Sequence, residues 1–285
     1  MTWTAIRWVW RLEGPLFIGM PPAGSLNRCR LYVPARALWG AVTAEISRNT
    51  SGEKFPEYKD IGNQIKAESR FTYLFPTEKQ GNKFLPWLPE FDEMRGYQWF
   101  CQSRNLTDRE FRCRMLDSRP GTAIDPDSDS AAEGTLRETE CINPSWRKTD
   151  NQEKTSEMFL SGYVFLKNNG LIKQFEMIDT LFVGGDTRYG LGKISRLKWQ
   201  ELSRDFSVFE KTVHLDQEEP QIVSNIIWGH SFESKHPDMI GTKELSGGWD
   251  NGSQCEGKLT WAPGSSMTHP LAWSIDKNGF WICKD

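Results

Sequence analysis

The densest run of chemically capable residues is FVGGDTRYGLGKI, residues 182–194, in which Gly184, Gly185, Gly190 and Gly192 surround Thr187, Arg188, Tyr189 and Lys193. Glycine has no Cβ, so such a loop reaches φ > 0 and lets backbone N–H groups approach an anion. Arg188 and Lys193 bring charge for a phosphodiester, and Tyr189 offers a ring on which a base can stack. The competing reading is a tight glycine-capped turn between a helix and a strand. It is not a Walker loop, because no GK[ST] follows. A dinucleotide fingerprint would come after a strand and open a helix, the reverse of the order here.

Basic residues gather in two further places. Arg28, Arg30, Arg36 and Arg48 outnumber Glu45 around residues 28–48, with Trp39 and Gly40 beside Arg36; Arg104, Arg109, Arg112, Arg114 and Arg119 form a second run. A charge run is ordinarily a solvated face. Trp39 and Tyr189 interleaved with these charges favour a groove for single-stranded RNA, bound by stacking and phosphate contacts.

Other chemistry is weaker. Metal-independent RNA scission needs one group to take the 2′-OH proton and another to protonate the leaving oxygen. His214, His230, His236 and His269 all lie in the C-terminal third, and neither His236 nor His269 has an obvious partner in sequence. DPDSDS, from Asp125 to Ser130, alternates acidic oxygens but lacks the glycine and glutamate of an EF-hand loop. It reads as a solvated turn, and Asp186 as a turn residue bonding its own backbone. The six cysteines form no CxxC pair. No catalytic residue, metal or cofactor is assigned.

Elements must position these groups. Trp8, Trp10 and Leu12 alternate with Val9 and Arg11 as in a strand with one buried face. Pro34 then opens a helix whose Leu38, Val42 and Ile46 make one apolar stripe. Residues 49–133, rich in Gly, Pro and charge, read as an insertion with little regular structure. TLRETECI alternates as a strand, NPSWRKTDNQEKTSE is a polar connection, and MFLSGYVFL is a continuous apolar run suited to a central strand. Ile172, Phe175, Ile178 and Phe182 keep helical spacing up to the glycine loop, after which KISRLKWQ returns as a strand.

The order predicts an α+β fold: a ferredoxin-like (RRM-like) βαββαβ unit over residues 1–202, with the insertion at about 49–133 between first helix and second strand. Residues 203–285 predict a smaller β-rich half, read also as a degenerate second ferredoxin-like half.

Composition bounds the rest. Lys+Arg 35 against Asp+Glu 38 leaves a net charge of −3, which argues against wholesale wrapping by nucleic acid and leaves room for a local basic face. No stretch approaches the roughly 20 apolar residues of a membrane span, and the first residues alternate rather than form a signal core. A soluble, cytoplasmic protein without a membrane partner is expected. Thirteen tryptophans must pack or meet partners. Trp8 and Trp10 are expected in the core, whereas Trp228, Trp249, Trp261, Trp273 and Trp281 are expected at a protein interface. GWDNGS and TWAPGS leave a carbohydrate-stacking alternative.

FVGGDTRYGLGKI resembles the glycine-rich loop near the end of the first ferredoxin-like unit in the RAMP superfamily, the repeat-associated proteins of CRISPR–Cas effector complexes. LEGPLFIGMPPAGSLNRCRLYVPARALWGAVTAEI is similar to that family's opening, with its helix start reading YVPARALWGA from Tyr32 to Ala41. RFTYLFPTEKQGNKFLPWLP and TAIDPDSDSAAEGTLRETE resemble segments of the type III subunits that cap the 5′ tag of the CRISPR RNA. The resemblance covers about residues 1–200.

It implies a non-catalytic RNA-binding subunit in antiviral defence, holding the repeat-derived 5′ tag. Its implied partners are the large polymerase/cyclase-like subunit on one side and the backbone RAMP subunits on the other. The implied RNA contacts are Arg28, Arg30, Arg36, Trp39 and Gly40 near the first helix, with Gly184, Gly185, Thr187, Arg188, Tyr189, Gly190, Gly192 and Lys193 in the glycine loop. Ala35, Arg36 and Trp39 depart from the family's helix start. The loop Gly19–Val33 holds no Asp where target-cleaving backbone subunits carry a catalytic one, so no target cleavage is expected there. A guide-processing endoribonuclease of the same superfamily is the alternative.

Overall fold

Alternation in TAIRWVWRL forms β1 (Thr4–Leu12), with Trp8 and Trp10 buried on one face. The computed structural model describes residues 3–52, 54–147, 156–167, 169–202, 206–250 and 253–283; part of the polar connection expected at 143–157 lies outside them. After Pro34, α1 (Ala35–Ser51) buries Leu38, Val42 and Ile46, the stripe its sequence carries. Next come α2 (Tyr58–Glu68), β2 (Phe75–Gln80), α3 (Asp108–Met115) and β3 (Phe159–Leu166), which is buried along its whole length. α4 (Asn169–Glu176) and β4 (Lys193–Glu201) complete the N-terminal unit.

The strands stand in the order β4-β1-β3-β2, each neighbouring pair antiparallel. This is how a βαββαβ chain lays out its sheet. Trp8 stacks on Phe71 and on Phe175 of α4 and meets Trp10 edge-on, so the helices close over the strand's indole face. Burial of such rings is the main local stabilisation, each ring covering about 150–250 Å².

The structure departs from the expected arrangement in three places. The second strand is Phe75–Gln80 rather than TLRETECI, which instead forms Arg137–Ile142 and pairs with Leu116–Gly121 and Leu26–Asn27 in a separate sheet. The long insertion therefore falls between β2 and β3, not between α1 and β2. Nor is 49–133 irregular: Leu88–Asp92, Gly96–Cys101 and Arg104–Thr107 form a meander, and Thr107 with Glu110 makes a capping box for α3. Trp87, Trp99, Phe111 and Trp146 fill the space beneath it, with Trp99 and Phe111 stacked at 4.3 Å. Charge averaged over the segment hides these regularly spaced rings. Finally, α4 stops at Glu176, because Thr180–Phe182 pairs with Lys193–Ser195 as an edge strand and leaves Phe182 45% exposed.

Beyond residue 206 the described residues form strands and one 3₁₀ turn, with no α-helix, so the described part of this half is β-rich. β5 (Gln221–Ile226) pairs with a later strand, β8 (Ser266–Ile275), while β6 (Lys243–Asp250) and β7 (Ser253–Trp261) form a hairpin. Trp228, Trp261, Trp273 and Trp281 are buried here, which corrects their expected place at an interface; the Trp249 side chain lies outside the described residues. Phe209, 3% exposed, meets Phe75, Tyr163 and Trp228 edge-on and joins this half to the central sheet. Among the described residues no helix is long and apolar enough to cross a membrane.

Candidate functional site

The start of α1, the glycine loop and the C-terminal half enclose a groove of about 780 Å³. Arg36, Trp39, Gly40 and Arg48 line it from α1, and Phe182, Gly184, Gly185 and Thr187 from the segment leading into β4. The opposite wall is Leu245–Gly247 of β6 together with Asn278 and Phe280 from the turn after β8. Two stretches far apart in sequence, each singled out for RNA contact, thus meet. A third wall joins them that carried no expectation.

Trp39 is half-buried and held from behind. Its indole N–H donates to the Gly62 carbonyl at 2.9 Å, and the Lys66 ammonium lies 4.3 Å from its ring centroid. The glycine loop is held by backbone. The Gly192 N–H donates to Pro15 O at 2.7 Å, the Gly185 N–H to Phe17 O at 2.9 Å and the Gly190 N–H to Thr187 O at 3.1 Å. Gly192 is buried at φ 80°, where a Cβ would overlap the Val183 carbonyl. These three amides are therefore spent on the chain itself, while Gly184 and Gly185 line the groove.

The remaining expected contacts divide. Arg188, Tyr189, Gly190 and Lys193 are exposed but do not line the groove, nor does Arg28. Tyr189 carries the Arg137 guanidinium 5.8 Å from its ring centroid, on the sheet formed by the insertion. In the second basic run, Arg104 and Arg114 approach Glu78 and Arg112 pairs with Asp108, so much of its charge is neutralised within the chain.

Arg30 also lines the groove, but as a nearly buried side chain, 9% exposed, held by the chain itself. Its two terminal nitrogens donate to Gly19 O at 2.5 Å and Leu245 O at 3.0 Å, and Nε lies 3.3 Å from Glu244 Oε2. It fastens the C-terminal wall to the loop before α1. His230 completes this fastening: Nδ1 is 2.7 Å from the Tyr73 hydroxyl, and Nε2 is 3.3 Å from Glu244 and 3.2 Å from Tyr32. A neutral imidazole protonated on Nε2 satisfies the set. Tyr73 accepts from the His230 backbone N–H and donates to Nδ1, while Nε2–H and the Tyr32 hydroxyl donate to Glu244.

Burial pushes the His230 pKa below its ordinary value. It also opposes charge on Glu244, but His230, Arg30 and Tyr32 outweigh it and hold that carboxyl down to about 2. Burial likewise raises Tyr73 and Tyr32, which stay protonated as donors.

His236 is buried against the Trp273 ring, and His214 and His269 are exposed. Among the described residues no three His, Cys, Asp or Glu are placed to hold a metal. The Asp125 carboxylate accepts from the Asp127 N–H in an exposed turn. Trp261 of TWAPGS is 5% exposed, which removes it as a sugar platform.

The wall missed in sequence has one local signal, DKNG. Asp276 Oδ1 accepts from the backbone N–H groups of Asn278 and Phe280 at 2.8 Å each. Gly279, at φ 80°, comes so close to Ala35 at the head of α1 that a Cβ would overlap it. The turn is thereby seated against the helix start.

No family model matches the sequence, and no curated protein matches it. The fold is similar to that of a chain in the cryo-EM structure of the type III-B Cmr-beta complex bound to cognate target RNA and AMPPnP. The TM-score is 0.56 at 12% identity, covering 91% of this chain and 84% of that one. A second Cmr-beta structure, bound to cognate target RNA, gives TM-score 0.55 at 12% identity over 91% and 85%. At this identity the likeness is one of fold.

Proposed function

We propose that this chain is a non-catalytic RNA-binding subunit of a type III CRISPR effector ribonucleoprotein, and that its groove holds the repeat-derived 5′ tag of the CRISPR RNA. The observation that carries this reading is the convergence of the α1 start and the glycine-loop segment on one groove, with Arg36 and Trp39 on the same side and Arg48 beyond them in an ion pair with Glu45. A basic groove with an indole suits a single strand bound through phosphates and stacked bases. The fold similarity to chains of Cmr-beta complexes supports the effector setting.

In the assembled effector the chain bridges the large subunit and the backbone, and its role is to anchor the guide. The test compares assembly on guides with and without the 5′ tag. The tagged guide is retained and the tagless guide lost; equal retention of both would refute tag capping.

A further inference from the structure

The C-terminal wall of the groove ends in a built aromatic stack. Phe280 lines the groove, and its ring stacks on Phe232 with centroids 4.6 Å apart and planes 28° from parallel. The Lys258 ammonium lies 5.3 Å from the Phe232 centroid. The backbone beneath is fixed by the two Asp276 hydrogen bonds and by the seat of Gly279 on Ala35. Asn278, two residues away in the same turn, lines the groove beside it.

A ring already layered on another ring, on a turn tied down by two hydrogen bonds and a close helix contact, is a pre-ordered surface for a flat partner. Resting on the reading of the groove as an RNA site, we propose that Phe280 is a nucleobase-stacking platform. Asn278, whose carboxamide both donates and accepts, reads the edge of the stacked base and is the specificity-determining residue. The C-terminal half then selects sequence, while the α1 side supplies charge.

The test uses the full chain and short single-stranded RNAs, oligo(A), oligo(U), oligo(C) and an abasic ribose-phosphate oligomer, with binding followed by fluorescence anisotropy. Phe280→Leu keeps apolar packing on Phe232 and guards against misfolding; Phe280→Tyr restores the ring. Leu is expected to weaken base-bearing RNA by about 5- to 150-fold, Tyr to recover it, and neither to change binding of the abasic oligomer. Asn278→Ala narrows the spread among the three base-bearing oligomers. If Phe280→Leu binds them as the wild type does, or loses abasic RNA equally, the platform is wrong while the groove reading stands. If the folded wild type binds no oligomer, both readings fall.

Discussion

On the α1 side of the groove the glycine loop is fastened by backbone, with Gly185 and Gly192 donating to Phe17 and Pro15. On the opposite side, Leu245 is reached through buried side chains, Arg30 donating to its carbonyl while Glu244 beside it meets Arg30, Tyr32 and His230. The first attachment contains nothing that titrates near neutrality. The second is a set of charges and rings that depends on every member being present. One wall is therefore held by backbone hydrogen bonds and the other by a matched set of buried charges and rings.

Removing one member should open the second wall most. Glu244→Ala leaves Arg30 and His230 buried without their carboxylate, an expected loss of about 3–5 kcal/mol. Urea unfolding would give the total, and hydrogen exchange at residues 243–247 should show the loss concentrated there. Gly192→Ala attacks the first wall through strain and overlap, at about 1–3 kcal/mol, with exchange rising at 183–193 and little change in β6. Equal spread of either effect over both walls would erase the contrast.

The pH response separates them further. His230 has a folded pKa below its unfolded value of about 6.5, so the unfolded chain binds the proton more readily. Its contribution is fully present above about pH 6.5 and lost as pH falls through the folded pKa. Glu244 follows the same sign lower down: its contribution is present above about 4.5 and lost on descent toward about 2. Exchange protection of the C-terminal wall should thus fall between pH 7 and 5 while the glycine loop holds, and His230→Gln should flatten that window. The smallest effect concerns the ligand: Arg36→Ala should lower the slope of log affinity against log salt by about 0.7 for a single phosphate contact on single-stranded RNA.

What could be read in the sequence follows from range. Trp8 with Trp10, and Leu38 with Val42 and Ile46, announce their strand and helix because neighbours on one face lie two, or three to four, residues apart. TLRETECI and FPTEKQ show the limit. Both form strands; the first alternates, whereas Pro76 removes a ladder donor from the second, and which one lies beside β3 is decided by pairing Leu160 with Pro76 across the sheet, which no local window contains. Arg30 was legible as a cation but not as a buried one, since Glu244 and Leu245 lie more than 200 residues away. Asn278 and Phe280 left only a DKNG turn, whose nearness to α1 depends on Gly279 meeting Ala35.

The claim that the groove holds guide RNA is tested most directly by ultraviolet crosslinking of the assembled effector, followed by mass spectrometry of the RNA-bearing peptides. Crosslinks from the 5′ tag should map to Arg36–Gly40, to the segment from Phe182 to Thr187, and to Phe280. Tag crosslinks confined to the exposed sheet of the insertion, with none at these groove residues, would contradict it.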